Sequence, residues 1–130
     1  CLGEVVRRTY DRGGKLVVTS RPEPRAFFRT GGNVVRQTIV EAIRKRDLRR
    51  ILVIDSRKVS KDGNMPTDAA FAAITGIPTV SYISGPVYLY DDMDTLDKVD
   101  VDQLRPVAAS FVDIIDRFDI TSASALKGRS

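Results

Sequence analysis

Residues 64–100 read NMPTDAAFAAITGIPTVSYISGPVYLYDDMDTLDKVD, and this stretch decides the predicted fold. A polar turn at Thr67 and Asp68 opens a short apolar run, which predicts a helix from about residue 67 to 75, ended by Gly76. Asp68 is a candidate to cap that helix. Residues 77–83 predict a strand, and residues 84–99 predict a loop that is unusually rich in aspartate.

A final amphipathic helix is expected over about residues 100–118. Asp100 and Gln103 have the spacing of a capping box, while Pro106 indicates that the regular helix starts slightly later. The helix places one apolar face inward, made of Leu104, Val107, Phe111, Ile114, Ile115 and Phe118. We expect residues 1–118 to form one α/β domain, followed by a polar tail over residues 119–130 that frays.

Upstream, residues 2–20 predict a β-hairpin with a turn at residues 11–14, and residues 21–30 a looser stretch that contains two prolines. A helix is predicted from Asn33, as its N-cap, to about Asp47, with a buried stripe of Val35, Ile39, Ala42 and Ile43. Residues 50–55 predict a buried parallel strand. Strands that alternate with helices favour a partly parallel sheet, whose ligand site lies in the loops after the strands, here residues 56–66 and 84–99.

Together these motifs resemble the co-catalytic zinc aminopeptidases of metallopeptidase families 28 and 42. The shared features are a Thr-Asp-Ala turn at Thr67, a helix, Gly-Ile-Pro at Gly76, and a strand. A tyrosine-containing loop with an acidic run at residues 94–97 and a final amphipathic helix follow. The resemblance implies a three-layer α/β/α fold, of which this chain would be the C-terminal half, with two zinc ions and a peptide substrate in a complete parent. Family 42 also implies self-assembly into homo-oligomers.

The chain contains no histidine. The resemblance implies a histidine zinc ligand at a position that is Tyr90 here, and a phenol binds zinc strongly only after losing a proton whose pKa is about 10. Asp91 or Asp92 could replace it as an oxygen donor. Most other ligands of the family would precede Cys1, so we expect no cofactor and no catalysis in this chain alone. Thr67, Asp68, Tyr88 and Tyr90 are the expected substrate-pocket residues.

Several alternatives come from the residues themselves. Asp91, Asp92, Asp94 and Asp97 have ligand types that suit magnesium or calcium, but their spacing matches no EF-hand and a solvated acidic loop is the favoured interpretation. Cys1, the single cysteine, excludes an intrachain disulfide, and as an N-terminal residue it could be either a nucleophile or the mark of a cleaved chain.

Charge is distributed unevenly along the chain, whose net charge is +4. Residues 1–50 carry 13 Lys or Arg against 5 Asp or Glu, and the remainder carries 8 against 12. A basic half is typical of some nucleic-acid-binding domains. However, the basic cluster at residues 44–50 also complements a helix C-terminus, so nucleic-acid binding is the less favoured interpretation. No apolar stretch approaches the roughly 20 residues of a membrane span, and no signal pattern opens the chain, which favours a cytoplasmic location.

Overall fold

The computed structural model describes residues 8–10, 12–13, 16–18, 23–60, 64–85, 92, 95–96 and 99–128. The strands are β1 (Arg8–Tyr10), β2 (Leu16–Val18), β3 (Arg25–Arg29), β4 (Ile51–Asp55) and β5 (Val80–Ser84). The helices are α1 (Asn33–Lys45), α2 (Ser56–Val59), α3 (Ala70–Ile74), α4 (Val101–Asp119) and α5 (Ala123–Lys127). The predicted mixed α/β class is confirmed.

The described part of the chain contains two separate sheets. Strands β1 and β2 pair antiparallel and confirm the predicted hairpin, with Thr9 opposite Val17. The main sheet has the order β4-β3-β5. Strand β4 is parallel to β3, as expected for residues 50–55, whereas β5 is antiparallel to β3. However, β4 lies at the edge of this sheet and its residues are half-buried or exposed, so the prediction that it is buried is wrong. The central strand of the main sheet, β3, lies within residues 21–30, where we predicted a looser stretch, so that prediction is wrong.

One face of the main sheet carries the hydrophobic core. Phe27 at the middle of β3 is fully buried, and its ring centroid lies 5.0 Å from that of Tyr82 and 5.6 Å from that of Phe111. Helices α1 and α4 contact one another above this face. Their buried contributions to the core cluster are Val35, Ile39, Ala42, Val107 and Ile114. The predicted inward stripes are therefore confirmed for these residues, but Ile115 is 62% exposed and does not belong to the buried face.

The helix starts differ from the predicted ones at two points. Helix α1 has Gly32 as its N-cap and makes no side-chain capping bond, so the predicted Asn33 cap is wrong. Helix α4 begins at Val101 and includes Pro106, so the delayed start is also wrong. The Asp100 side chain accepts a hydrogen bond from the backbone N–H of Gln103, which confirms Asp100 as the cap. Gln103 Oε1 has no hydrogen-bond partner among the described residues, so the reciprocal bond of a capping box is not formed.

The C-terminal segment holds a short helix in place of the frayed tail that we expected. Helix α5 is capped by the Ser122 side chain and ends at Gly128 in the left-handed conformation, with φ of 71°. Leu126 packs against the core cluster, and its carbonyl accepts a hydrogen bond of 2.7 Å from the N–H of Gly32. Within the described ranges, no helix is long and apolar enough to cross a membrane.

Candidate functional site

The two loops expected to form one ligand site begin at opposite ends of the main sheet. Strand β4 ends beside Arg29, so residues 56–66 leave from the end of the sheet where β3 also ends. Strand β5 runs the other way and ends with Ser84 beside Arg25, at the start of β3. The prediction that both loops leave at one edge is therefore wrong, because it assumed parallel strands.

The structure describes three of the predicted site residues. The Thr67 and Ser81 hydroxyl oxygens are 2.8 Å apart, a hydrogen bond that ties the turn before α3 to β5. Asp68 is exposed and its carbonyl accepts from the N–H of Phe71, but α3 has Ala69 as N-cap without a side-chain bond, so Asp68 does not cap it. Asp92 is exposed in a turn.

The remaining predicted site residues, Tyr88, Tyr90 and Asp91, lie outside the described residues, as do Asp94, Asp97 and Cys1. Among the residues that the structure does describe, no three His, Cys, Asp or Glu side chains are grouped to hold a metal ion. Of the four expected pocket residues, the structure therefore describes Thr67 and Asp68.

A cluster of charged side chains that sequence reasoning missed lies where β3 and β4 end. The Arg29 guanidinium donates a 2.8 Å hydrogen bond to the Asp55 carboxylate, and their side chains are only 8% and 14% exposed. Arg29 also donates to the carbonyl oxygens of Gly31 and Gly32. Arg57 donates to the same Gly31 carbonyl. We call Arg29, Asp55, Arg57 and the two glycines the carboxyl-end cluster.

The carboxyl-end cluster is mostly satisfied from within the chain. A glycine-containing loop before a long helix offers backbone N–H groups to an anion, and two arginines would add to that attraction. Here the N–H of Gly32 is taken by the Leu126 carbonyl at the end of α5. At this end of the described sheet, Arg29 Nε and the hydroxyl of the adjacent Ser56 are buried without a hydrogen-bond partner. The cluster therefore holds β3, β4, α1 and α5 together rather than opening an anion site.

A second buried polar group lies at the opposite end of the sheet, where the aspartate-rich loop begins. Arg25 is 1% exposed and donates to the Arg49 carbonyl at 3.2 Å, while Ser84 beside it is 2% exposed. Within the described part of the chain, four buried atoms here have no hydrogen-bond partner: Arg25 Nε and Nη1, the Ser84 hydroxyl and the Tyr82 hydroxyl. Burial raises the pKa of the Tyr82 phenol and the Asp100 charge raises it further, whereas nearby Arg25 lowers it. This end of the sheet is the one richest in unsatisfied buried donors.

Ion pairs explain part of the basic cluster at the end of α1. Lys45 and Arg46 both bind the Asp113 carboxylate of α4, each at 2.7 Å, and Arg49 pairs with Asp47 at 3.0 Å. The hydrogen bonds from Arg46 and Lys45 lower the pKa of the Asp113 carboxyl from 3.8 to about 2, and the same contact raises the pKa of Arg46. Three of the basic residues therefore serve intramolecular contacts, which weakens the case for a nucleic-acid surface there.

No protein-family model, curated protein or solved structure matches this chain.

Proposed function

We propose that this chain is the C-terminal portion of an aminopeptidase-like metallohydrolase domain and is not catalytic on its own. The order of elements across residues 64–119 supports the proposal. A turn at Thr67, helix α3, a left-handed Gly76 and strand β5 occur in the order that the resemblance implies. The capped helix α4 then completes the series. The three-layer α/β/α architecture of the complete domain is part of this proposal.

In such a domain, this chain would contribute residues that line the substrate pocket rather than catalytic residues. Thr67 is fixed to β5 by Ser81, and Asp68 is exposed next to it, so the turn offers a preformed polar edge to a peptide. When bound, zinc would lower the pKa of a coordinated water and polarise a carbonyl. Among the described residues, Asp68 and Asp92 are exposed carboxylates, and no three His, Cys, Asp or Glu side chains are grouped to hold a zinc ion.

The decisive experiment restores the histidine that the resemblance implies. In a longer parent chain that carries the upstream ligands, Tyr90→His is expected to raise zinc affinity, measured by calorimetric titration. Tyr88→His is the matched control, because it adds the same imidazole two residues away. Equal zinc affinity in the two variants would show that Tyr90 does not correspond to the ligand position. Aminopeptidase activity in the isolated chain would contradict the proposal directly.

A second function, a non-catalytic binding or assembly module, is favoured by exposed apolar side chains around α3. Phe71 is 74% exposed, Ile74 62% and Ile77 55%. Apolar patches of this kind mark interaction surfaces when they are contiguous. A parent that contains no metal, shows no aminopeptidase activity and loses association on Phe71→Ser would support this function. Stoichiometric zinc in the purified parent would favour the first function instead.

A further inference from the structure

Helix α4 carries a second row of side chains that faces away from the core. Val101 is 67% exposed, Val112 55% and Ile115 62%, and Ala108 is exposed between them. These are large exposed fractions for apolar residues on a helix whose other face is buried. Two charged residues, Arg105 and Asp119, belong to the same row. We call these six residues the outer stripe of α4.

The outer stripe has the spacing of a helix-pairing seam. Its members are separated alternately by four and three residues, from Val101 through Arg105, Ala108, Val112 and Ile115 to Asp119. This alternation has an average period of 3.5 residues, which keeps a straight row of side chains facing one partner helix. From Arg105 to Asp119 the middle of the row is apolar and both ends are charged, an arrangement that sets register when two helices pair.

The charges identify the partner and its direction. Arg105 and Asp119 lie symmetrically about Val112, seven residues to either side. If two copies of α4 cross antiparallel at Val112, each Arg105 lies level with Asp119 of the other copy, about 10 Å from the two-fold axis. A parallel pair would place Arg105 against Arg105 and Asp119 against Asp119. We propose that the outer stripe of α4 is an antiparallel dimerisation surface for a second copy of this chain.

The geometry also limits how tightly the two copies bind. Helix α4 has 19 residues, and with the crossing at Val112 the two copies overlap over residues 105–119, a contact about 21 Å long. One pair of helices of this length buries less surface than the 1,200–2,000 Å² of a typical stable interface. The small Ala108 allows the two helix axes to approach closely near the crossing point. We therefore expect a reversible dimer whose population depends on protein concentration.

Sedimentation equilibrium of the whole chain, from about 10 µM to about 1 mM, tests the proposal, since weak interfaces need this range. Val112→Glu is expected to raise the dimer dissociation constant at least about tenfold, because it places two like charges at the axis. Val59→Glu is the matched control, since Val59 lies on α2 and is 67% exposed. This variant is expected to dimerise like the wild type. Circular dichroism checks that both variants remain folded.

Charge reversal tests the direction of pairing. Arg105→Glu or Asp119→Arg alone is expected to weaken the dimer about two- to thirtyfold, because each breaks two exposed ion pairs. The double variant restores both pairs with reversed polarity, and its dissociation constant is expected to return to within about twofold of the wild type. A chain that stays monomeric at the highest concentration overturns the proposal. So does a double variant no better than the single ones, or a Val59→Glu variant as weak as Val112→Glu.

Discussion

We expect Gly32→Ala to detach helix α5 from the beginning of helix α1. A Cβ atom at position 32 would lie 2.6 Å from the Cα of Gly128, 2.8 Å from its nitrogen and 2.9 Å from the Ala125 carbonyl oxygen. All three atoms are backbone, which cannot rotate out of the way. The backbone of Gly32 itself, with φ of −76° and ψ of −179°, suits alanine as well as glycine. The whole cost therefore falls on the contact with α5.

The size of the effect follows from what α5 contributes. Detachment breaks the 2.7 Å hydrogen bond from Gly32 to the Leu126 carbonyl. A hydrogen bond of this kind contributes about 1 kcal/mol net. Detachment of α5 also exposes the Leu126 side chain. Because that side chain is only half-buried, its burial contributes about 1 kcal/mol. A total of about 2 kcal/mol corresponds to a roughly thirtyfold shift toward the detached state.

Limited proteolysis with trypsin measures this shift. Lys127 lies on α5 and is cleaved only when the helix detaches and unfolds, so the cleavage rate follows the detached population when reattachment is fast. We expect cleavage after Lys127 in Gly32→Ala to be about thirtyfold faster than in the wild type. The urea midpoint of the core should change far less, because the three atoms nearest to a Cβ at position 32 belong to Ala125 and Gly128 and not to the core.

Gly85→Ala is the control for this experiment. A Cβ at position 85 meets no atom within 4 Å, so this variant should be cleaved at the wild-type rate. If Gly32→Ala is also cleaved at the wild-type rate, the close approach between α1 and α5 does not exist in solution. If both variants are cleaved faster to the same extent, the close approach of position 32 to α5 is not the cause, because position 85 makes no such approach.

Two further predictions concern ion pairs. Because the pKa of the Asp113 carboxyl is about 2 in the folded protein and ordinarily 3.8, its stabilising contribution is complete above pH 3.8 and disappears as the pH falls toward 2. The Asp113→Asn variant should therefore lack this part of the pH dependence of stability when acid unfolding is followed by circular dichroism. If the variant and the wild type have the same profile between pH 4 and 2, the ion pairs of Asp113 do not stabilise the protein. Asp55→Asn leaves the guanidinium of Arg29 buried without its charge partner and is expected to cost about 3–5 kcal/mol in urea unfolding. Asp47→Asn, which removes an exposed pair, should cost less than about 1 kcal/mol, and equal losses would contradict the burial argument.

The long helices were predictable because their burial repeats along the chain. Val35, Ile39 and Ala42 recur at helical spacing, and all three are buried in α1. The same argument placed α4, whose Asp100 cap has a recognisable side chain and spacing. Helical spacing gave the wrong burial for Ile115, which lies at the border of the apolar arc and is exposed. Periodicity alone does not show where on a helix the partner surface ends.

The central strand β3 could not be predicted from the same kind of pattern. Two prolines precede it, and arginines occupy positions 25 and 29 on the same face as the buried Phe27. Charged residues at those positions normally indicate an exposed face. They are buried here because the Arg49 carbonyl accepts a hydrogen bond from Arg25 and Asp55 accepts one from Arg29, and these acceptors lie 24 and 26 residues away in the sequence. The direction of β5 was missed for a related reason, since a strand's own residues record burial but not the orientation of its neighbour.

The position of β3 in the chain has a consequence for synthesis on the ribosome. Both neighbours of β3 follow it, and the second is complete only when Ser84 has been added, 55 residues after Arg29. At about 5–20 residues per second this takes roughly 3–11 s, during which the nascent Ala-Phe-Phe segment has at least one unpaired edge. Charged residues on a strand oppose pairing between neighbouring chains. Arg25 and Arg29 therefore protect the newly made strand from aggregation before they become buried in the finished protein.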